Sequence, residues 1–151
     1  MTAQSSAITS ATTKLYYSTT LPTTFDSAGY TAVTGWVAVA EVSSLGTFGG
    51  KTTVTKHIPV DTATVVKRAG SVDYGTMSVT LARHTGTDIT GLTTAFNGRT
   101  STAFKVVYPT ALGQTDYFTA IVTSLQTNIG NADKILESTV DLELDSPVVT
   151  V

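Results

Sequence analysis

The chain has 151 residues, 41 % of them hydrophobic, no cysteine and a formal net charge of -2, which suffices for one core and is short for two. Charged residues make up only 13 %, so there is no strongly basic surface to hold a phosphate backbone. The lack of cysteine excludes a disulfide framework, a thiolate zinc site and a thiol nucleophile.

Threonine supplies roughly a fifth of the residues and valine is abundant; both are β-branched and favour strands. The expected class is mainly β, a β-sandwich or small β-barrel with one short flanking α-helix and a long inter-strand loop. Residues 1–13 are small and polar without a periodic apolar face, and read as a flexible N-terminal arm; residues 14–151 read as the single folded domain. Met1 to Thr13 does not read as a signal peptide, and no apolar run approaches the length of a membrane span.

In chain order, Lys14 to Ser18 reads as a short strand. The stretch around Phe25, Asp26, Gly29 and Tyr30 reads as an irregular connection or one helical turn. Trp36 to Leu45 reads as one strand, apolar on nearly both faces until Glu41. From Gly46 to Asp73 the pattern loosens into a long excursion, with glycines close together and Pro59 interrupting a β-branched run; an excursion of this length is usually functional or ordered by a partner. Thr76 to Arg83 resumes alternation. The spacing of Ile89, Leu92, Ala95 and Phe96 predicts a helix, with Asp88 as N-cap and Gly98 ending it. Strands follow at Ala103 to Tyr108, Asp116 to Thr127 and Lys134 to Asp145.

Residues that could carry chemistry do not converge. Gly46 to Thr52 resembles a phosphate-binding loop only loosely: the position six before Lys51 is Leu45, and a β-branched run follows where a helix should direct its N-terminus. A flexible glycine-rich hinge fits better. His57 and His84 have no metal-ligand spacing and read as solvated loop histidines, and no Gly-x-Ser-x-Gly elbow occurs. No catalytic residue, cofactor or metal is expected. Paired carboxylates occur only in the last strand, where Glu137, Asp141, Glu143 and Asp145 share one face with Thr139, and Leu136, Ser138, Val140, Leu142 and Leu144 share the other. This acidic stripe is either a solvated outer face or the lining of a channel that repels passing DNA.

The order of segments resembles the major tail tube protein of long, non-contractile-tailed bacteriophages, the lambda-like tail tube family. The resemblance rests on Lys14-Leu15-Tyr16-Tyr17, Thr24 to Tyr30, Trp36 to Val42, a long loop, Asp73-Tyr74-Gly75 entering Ser78 to Leu81, an acid-capped helix, Phe104 to Pro109, Tyr117 to Leu125 and the acidic last strand. It implies rings, typically of six subunits, stacked around a tape-measure protein and later a DNA channel. Implied partners are further copies of the chain, the tape-measure protein and the tail terminator and tip proteins. DNA would pass without specific binding and no membrane would be engaged; the implied location is the virion tail, after synthesis in the host bacterial cytoplasm. The family's stacking loop maps to about Thr47 through Asp73, which makes Phe48, Lys51, His57, Ile58, Lys67, Arg68 and Asp73 the candidate inter-ring contacts. The alternative reading is a non-tubular β-sandwich binding or decoration module, which usually displays a row of exposed aromatics; here the tyrosines and Trp36 are scattered along the sequence. A small hydrolase would need a convergent titratable cluster, and none is visible.

Overall fold

The computed structural model describes residues 7–151. The expected arm therefore lies partly, at residues 1–6, outside the described residues. After residue 13 the chain forms β1 (Lys14–Ser18), α1 (Ser27–Thr31), β2 (Val37–Ala38), β3 (Val42–Ser44), β4 (Lys51–His57), β5 (Val66–Asp73), β6 (Thr76–Ala82), α2 (Thr87–Gly98), β7 (Ser101–Val107), β8 (Thr115–Asn128), β9 (Glu137–Leu144) and β10 (Val149–Thr150). The mainly β class with a large antiparallel sheet is thus found. A sandwich describes it and a closed barrel does not.

The main sheet runs β2-β1-β7-β8-β9-β6-β3, with β10 on the free flank of β8. Its inner face carries Leu15, Tyr17, Met77, Val79, Leu81, Phe104, Val106, Phe118, Ala120, Val122, Val140, Leu142 and Leu144, all buried. Every one of these lies at an alternate position of its strand, and period-two reading of the sequence reached those of β6 and β9. Helix α2 lays Ile89, Leu92 and Ala95 onto this core. The helix face is the expected one.

Sheet topology accounts for one departure from expectation. Trp36 to Leu45 is not a single strand: it splits into β2 and β3, which are the two opposite edges of the sheet. Only Val39, Ala40 and Glu41 join them, so the edges lie at most about 14 Å apart across four Cα steps. The sheet curls almost into a barrel and is closed by chain where ladder hydrogen bonds are missing. Glu41 turns this corner in the left-handed region, at φ 56°. Its carbonyl accepts from the Ala82 amide at 2.9 Å, and the Val39 amide donates to the Leu15 carbonyl at 2.9 Å.

The helix start also differs. Gly86 occupies the N-cap without a side-chain bond, and Asp88 sits inside the first turn. Its carboxylate is committed elsewhere, accepting from the Ala40 amide at 2.9 Å and meeting His84 Nε2 at 2.9 Å. At the other end the left-handed residue is Arg99, φ 53°, one beyond Gly98. The stretch around Asp26 resolves as the helical turn α1, capped by the Asp26 carboxylate accepting from the Gly29 amide at 2.8 Å.

Candidate assembly surfaces

The long excursion is not a structureless loop. β4 and β5 pair antiparallel from Lys51 with Asp73 to His57 with Val66, with a bulge between Thr52 and Val54. The turn at the tip is fixed by the Ala63 amide donating to the Pro59 carbonyl at 2.9 Å. β-branched residues at Thr52, Thr53, Val54, Thr55, Val65 and Val66 favour this strand pair. It went unread because an unburied ribbon has no apolar alternation to display.

The hairpin packs on nothing but itself to any substantial extent. Val54, Ile58, Val60, Val65 and Val72 are all exposed, Val60 completely. Lys56 and Lys67 are direct register partners, a like-charge pair that weakens an isolated ribbon. Residues 51–73 hold four cations, Lys51, Lys56, Lys67 and Arg68, against Asp61 and Asp73, leaving +2; the remaining chain has five cations against nine carboxylates, leaving -4. A two-stranded ribbon standing alone is marginal in water.

Of the candidate contact residues, Lys51, His57, Lys67, Arg68 and Asp73 lie on the ribbon strands and Ile58 follows β4 directly. Phe48 does not lie on the ribbon: it packs at the root, 5.3 Å from the Phe118 ring, and joins the edge of the core. Asp73 also closes the root, its carboxylate accepting from the Gly75 amide at 2.9 Å. Gly75, at φ 82°, makes the left-handed step into β6 that a residue with a side chain takes only under strain. The glycine-rich segment leads into a strand, so the phosphate-loop geometry is absent at Gly46 to Thr52.

β9 alternates as expected. Ser138, Val140, Leu142 and Leu144 are buried, while Glu137, Asp141 and Glu143 are half-exposed and Asp145, just past the strand, is exposed. Neighbouring strands offer hydroxyls to this stripe: Thr76 donates to Glu143 at 2.5 Å, Ser78 to Asp141, and both Ser101 and Thr119 to Asp145. No lysine or arginine forms an ion pair with these four carboxylates among the described residues. The hydroxyls fix where the Asp141, Glu143 and Asp145 carboxylates point.

The same outer face carries a feature the sequence left scattered. Register places Tyr16 beside Lys105 and Lys105 beside Tyr117, and Lys105 Nζ lies 4.7 Å from the Tyr16 ring centre and 4.8 Å from that of Trp36. Burial pushes the Lys105 amine down from its usual value, and the two ring faces offset part of its lost hydration. Tyr117 stacks on Tyr30 at 5.5 Å, and Tyr30 is wholly buried with its hydroxyl on Ser146. The aromatics are thus occupied by a lysine and by each other, unlike an open row for stacking on sugars.

His84 is not merely solvated. Nδ1 faces the Ala82 carbonyl at 2.9 Å and Nε2 faces the Asp88 carboxylate. Both partners are acceptors, so only the imidazolium satisfies both nitrogens. The Ala82 carbonyl first, and then the bond and charge of Asp88, raise the His84 pKa against the opposing effect of burial. Burial alone would raise Asp88, but the amides of Ala40 and Ile89 together with His84 hold it below the usual carboxylate value. The only metal-type feature nearby is this pair; no group of three or more His, Cys, Asp or Glu gathers among the described residues. No helix there is long and apolar enough to cross a membrane.

An antiparallel sandwich with an unpacked hairpin and one flanking helix defines a recurrent architecture, and comparison with solved structures identifies where else it occurs. A chain of the anti-feeding prophage baseplate, in its six-fold symmetrised cryo-EM structure, superposes with a TM-score of 0.70 at 12 % identity, covering 98 % of this chain and 97 % of that one. A chain from the sheath/tube terminator structure of the PVC extracellular contractile injection system, in the extended state, gives 0.73 at 12 % identity and 99 % of each. The SPP1 tail tube gives 0.59 at 13 % identity, covering 91 % of this chain and 75 % of that one. No protein-family model and no curated protein matches the sequence. The fold is therefore that of phage-tail and injection-system components, the tail tube among them, as the order of sequence segments suggested.

Proposed function

We propose that this protein is a non-enzymatic structural subunit of a phage-like tail tube. Copies associate side by side into rings, and rings of six stack into a hollow conduit in the virion tail. The subunit is made in the bacterial cytoplasm, assembles around a tape-measure protein, meets terminator and tip proteins at its ends, and later passes DNA without binding it. Residues 14–151 form the tube domain.

One observation carries this reading: a basic, apolar hairpin that its own body leaves uncovered. Covering the fully exposed Val60 on a neighbour is worth on the order of 1.5–3 kcal/mol and covering each of the half-exposed Val54, Ile58, Val65 and Val72 roughly half that, enough together to offset part of an association cost of about 4–15 kcal/mol. The opposite net charges of hairpin and body support another copy of the same chain as that neighbour. Phe48 at the root, and Lys51, His57, Ile58, Lys67, Arg68 and Asp73 along the ribbon, are the proposed stacking contacts. The stripe of Glu137, Asp141, Glu143 and Asp145 is proposed to face the lumen, with Glu137 at the end of the stripe where the next copy meets it, and its fixed negative charge keeps DNA from adhering.

Negative-stain imaging of the purified protein over a concentration series tests the reading. Hollow tubes of uniform width are expected, and a monomer at every concentration would favour the decoration-module alternative. Replacing residues 52–72 by a short Gly-Ser turn is expected to leave a folded body that no longer stacks. Tubes of unchanged length from that variant would remove the hairpin from the mechanism.

A further inference from the structure

The hairpin needs a receiving surface, and strand register identifies one at the opposite end of the body. β5 enters β6 through only Tyr74 and Gly75, so the hairpin leaves from the end of the sheet that holds Thr76 and its partner Glu143. β6 ends at Ala82, opposite Glu137, where the β8–β9 connection lies. The two features are separated by the seven residues of β6, roughly 20 Å.

That connection, residues 129–136, exposes Ile129 at 73 % and Ile135 at 75 %, with Leu136 also exposed. It is not a slack loop. The Asp133 amide donates to the Asn131 side chain at 3.2 Å, the Lys134 amide to the Asn131 carbonyl at 3.1 Å, and the Arg83 amide to the Leu136 carbonyl at 2.7 Å. Asn128, Gly130, Asp133, Lys134, Ile135 and Glu137 surround a concavity of about 360 Å³. Its charges are Asp133 and Glu137 against Lys134, net negative. The hairpin end offers the complement: Ile58, Pro59 and Val60 at the apex, with Lys56 and Lys67 beside each other behind it and Asp61 the one acid.

We infer that the β8–β9 connection is the socket for the hairpin tip of the next copy along the stack, with Val60 and Ile58 against Ile129 and Ile135 and the Lys56/Lys67 pair facing Asp133 and Glu137. This rests on the stacking reading above and specifies its polarity. Donor and acceptor lie at opposite ends of one chain, so the contact is heterologous and repeats without closing, which gives an open head-to-tail column along the strand direction. A tip-to-tip contact would close after two copies. Two lysines that repel each other in the free hairpin gain opposite charges in this arrangement.

The chain has no cysteine, so paired thiols report the contact directly. Tubes of the Val60→Cys/Ile135→Cys double variant, mildly oxidised, are expected to give a ladder of disulfide-linked multimers on a non-reducing gel, while either single variant stays monomeric on the gel. Tubes that yield no ladder, or Val60→Cys chains that link to one another, overturn the socket and leave the stacking reading standing. Failure of the unmodified protein to form tubes overturns both. In a second arm, Ile129→Asp/Ile135→Asp is expected to keep its circular dichroism spectrum and lose the tubes; tubes of unchanged length from that variant overturn the socket as well.

Discussion

The Ala40 amide donates to the Asp88 carboxylate at 2.9 Å across 48 residues of chain, tying helix α2 to the three residues that join the two edges of the sheet. The bond holds the place where the curled sheet lacks a ladder. Removing it by Asp88→Ala leaves a partly buried amide without its acceptor and is expected to cost about 1–3 kcal/mol. Urea denaturation followed by tryptophan fluorescence measures this through Trp36. A midpoint unchanged from the parent would show that the three-residue link holds without the helix.

The His84–Asp88 pair sets a pH optimum for stability. Asp88 is lowered from its usual 3.8 in the folded chain, so its contribution is present above that value and is lost as pH falls through the lower folded pKa. His84 is raised above its usual 6.5, so its contribution is complete below 6.5 and is lost as pH rises through the folded pKa. The pair is therefore worth most between about pH 4 and 6.5, and thermal midpoints measured across pH 3 to 9 should fall off on both sides. His84→Ala should flatten the alkaline side of that profile. An alkaline limb with the same slope in His84→Ala would assign it to another group.

What the sequence made legible follows from what each signal measures. The β9 face and the α2 face were readable because one side of each is buried, so apolar spacing records their geometry directly. The break between β2 and β3 was not, since Val37, Val39 and Val42 have strand character whether or not the chain turns at Glu41; the turn is demanded by two sheet edges that only the complete topology brings together. The ribbon was visible as β-branched residues on either side of Pro59 but lacked the one-sided burial that marks a strand. Asp88 was noticed for the right reason, a free carboxylate at a helix start, and assigned the wrong amide. Its actual partner, Ala40, offers no local cue.

Free chains should lose the hairpin first to protease. Lys51, Lys56, Lys67 and Arg68 are all exposed on a ribbon that the body does not support, and cleavage of such a segment requires only local opening. Trypsin is expected to cut unassembled protein there before touching Arg83, Arg99 or Lys105, and to spare the same bonds in assembled tubes. Mass spectrometry of early digests distinguishes the two states. First cuts within residues 83–105 of the free chain would mean that the ribbon is better anchored than its packing indicates.

Gly91 separates helix propensity from packing. In an exposed helix, Gly→Ala stabilises by about 1 kcal/mol, but a Cβ on Gly91 would lie 1.7 Å from the Tyr17 hydroxyl oxygen and 2.4 Å from its ring carbon. Tyr17 cannot easily yield, being buried with its hydroxyl donating to the Thr87 carbonyl at 3.1 Å. Overpacking of this kind costs about 1–3 kcal/mol, so the clash should win and Gly91→Ala should be destabilising. In a Tyr17→Leu background the obstructing hydroxyl and ring edge are gone, and the same substitution should become neutral or stabilising. A double-mutant cycle by urea denaturation gives the coupling directly. Additive effects would mean that α2 shifts away from β1 to admit the methyl group, and that the close approach of Gly91 to Tyr17 does not set the position of the helix.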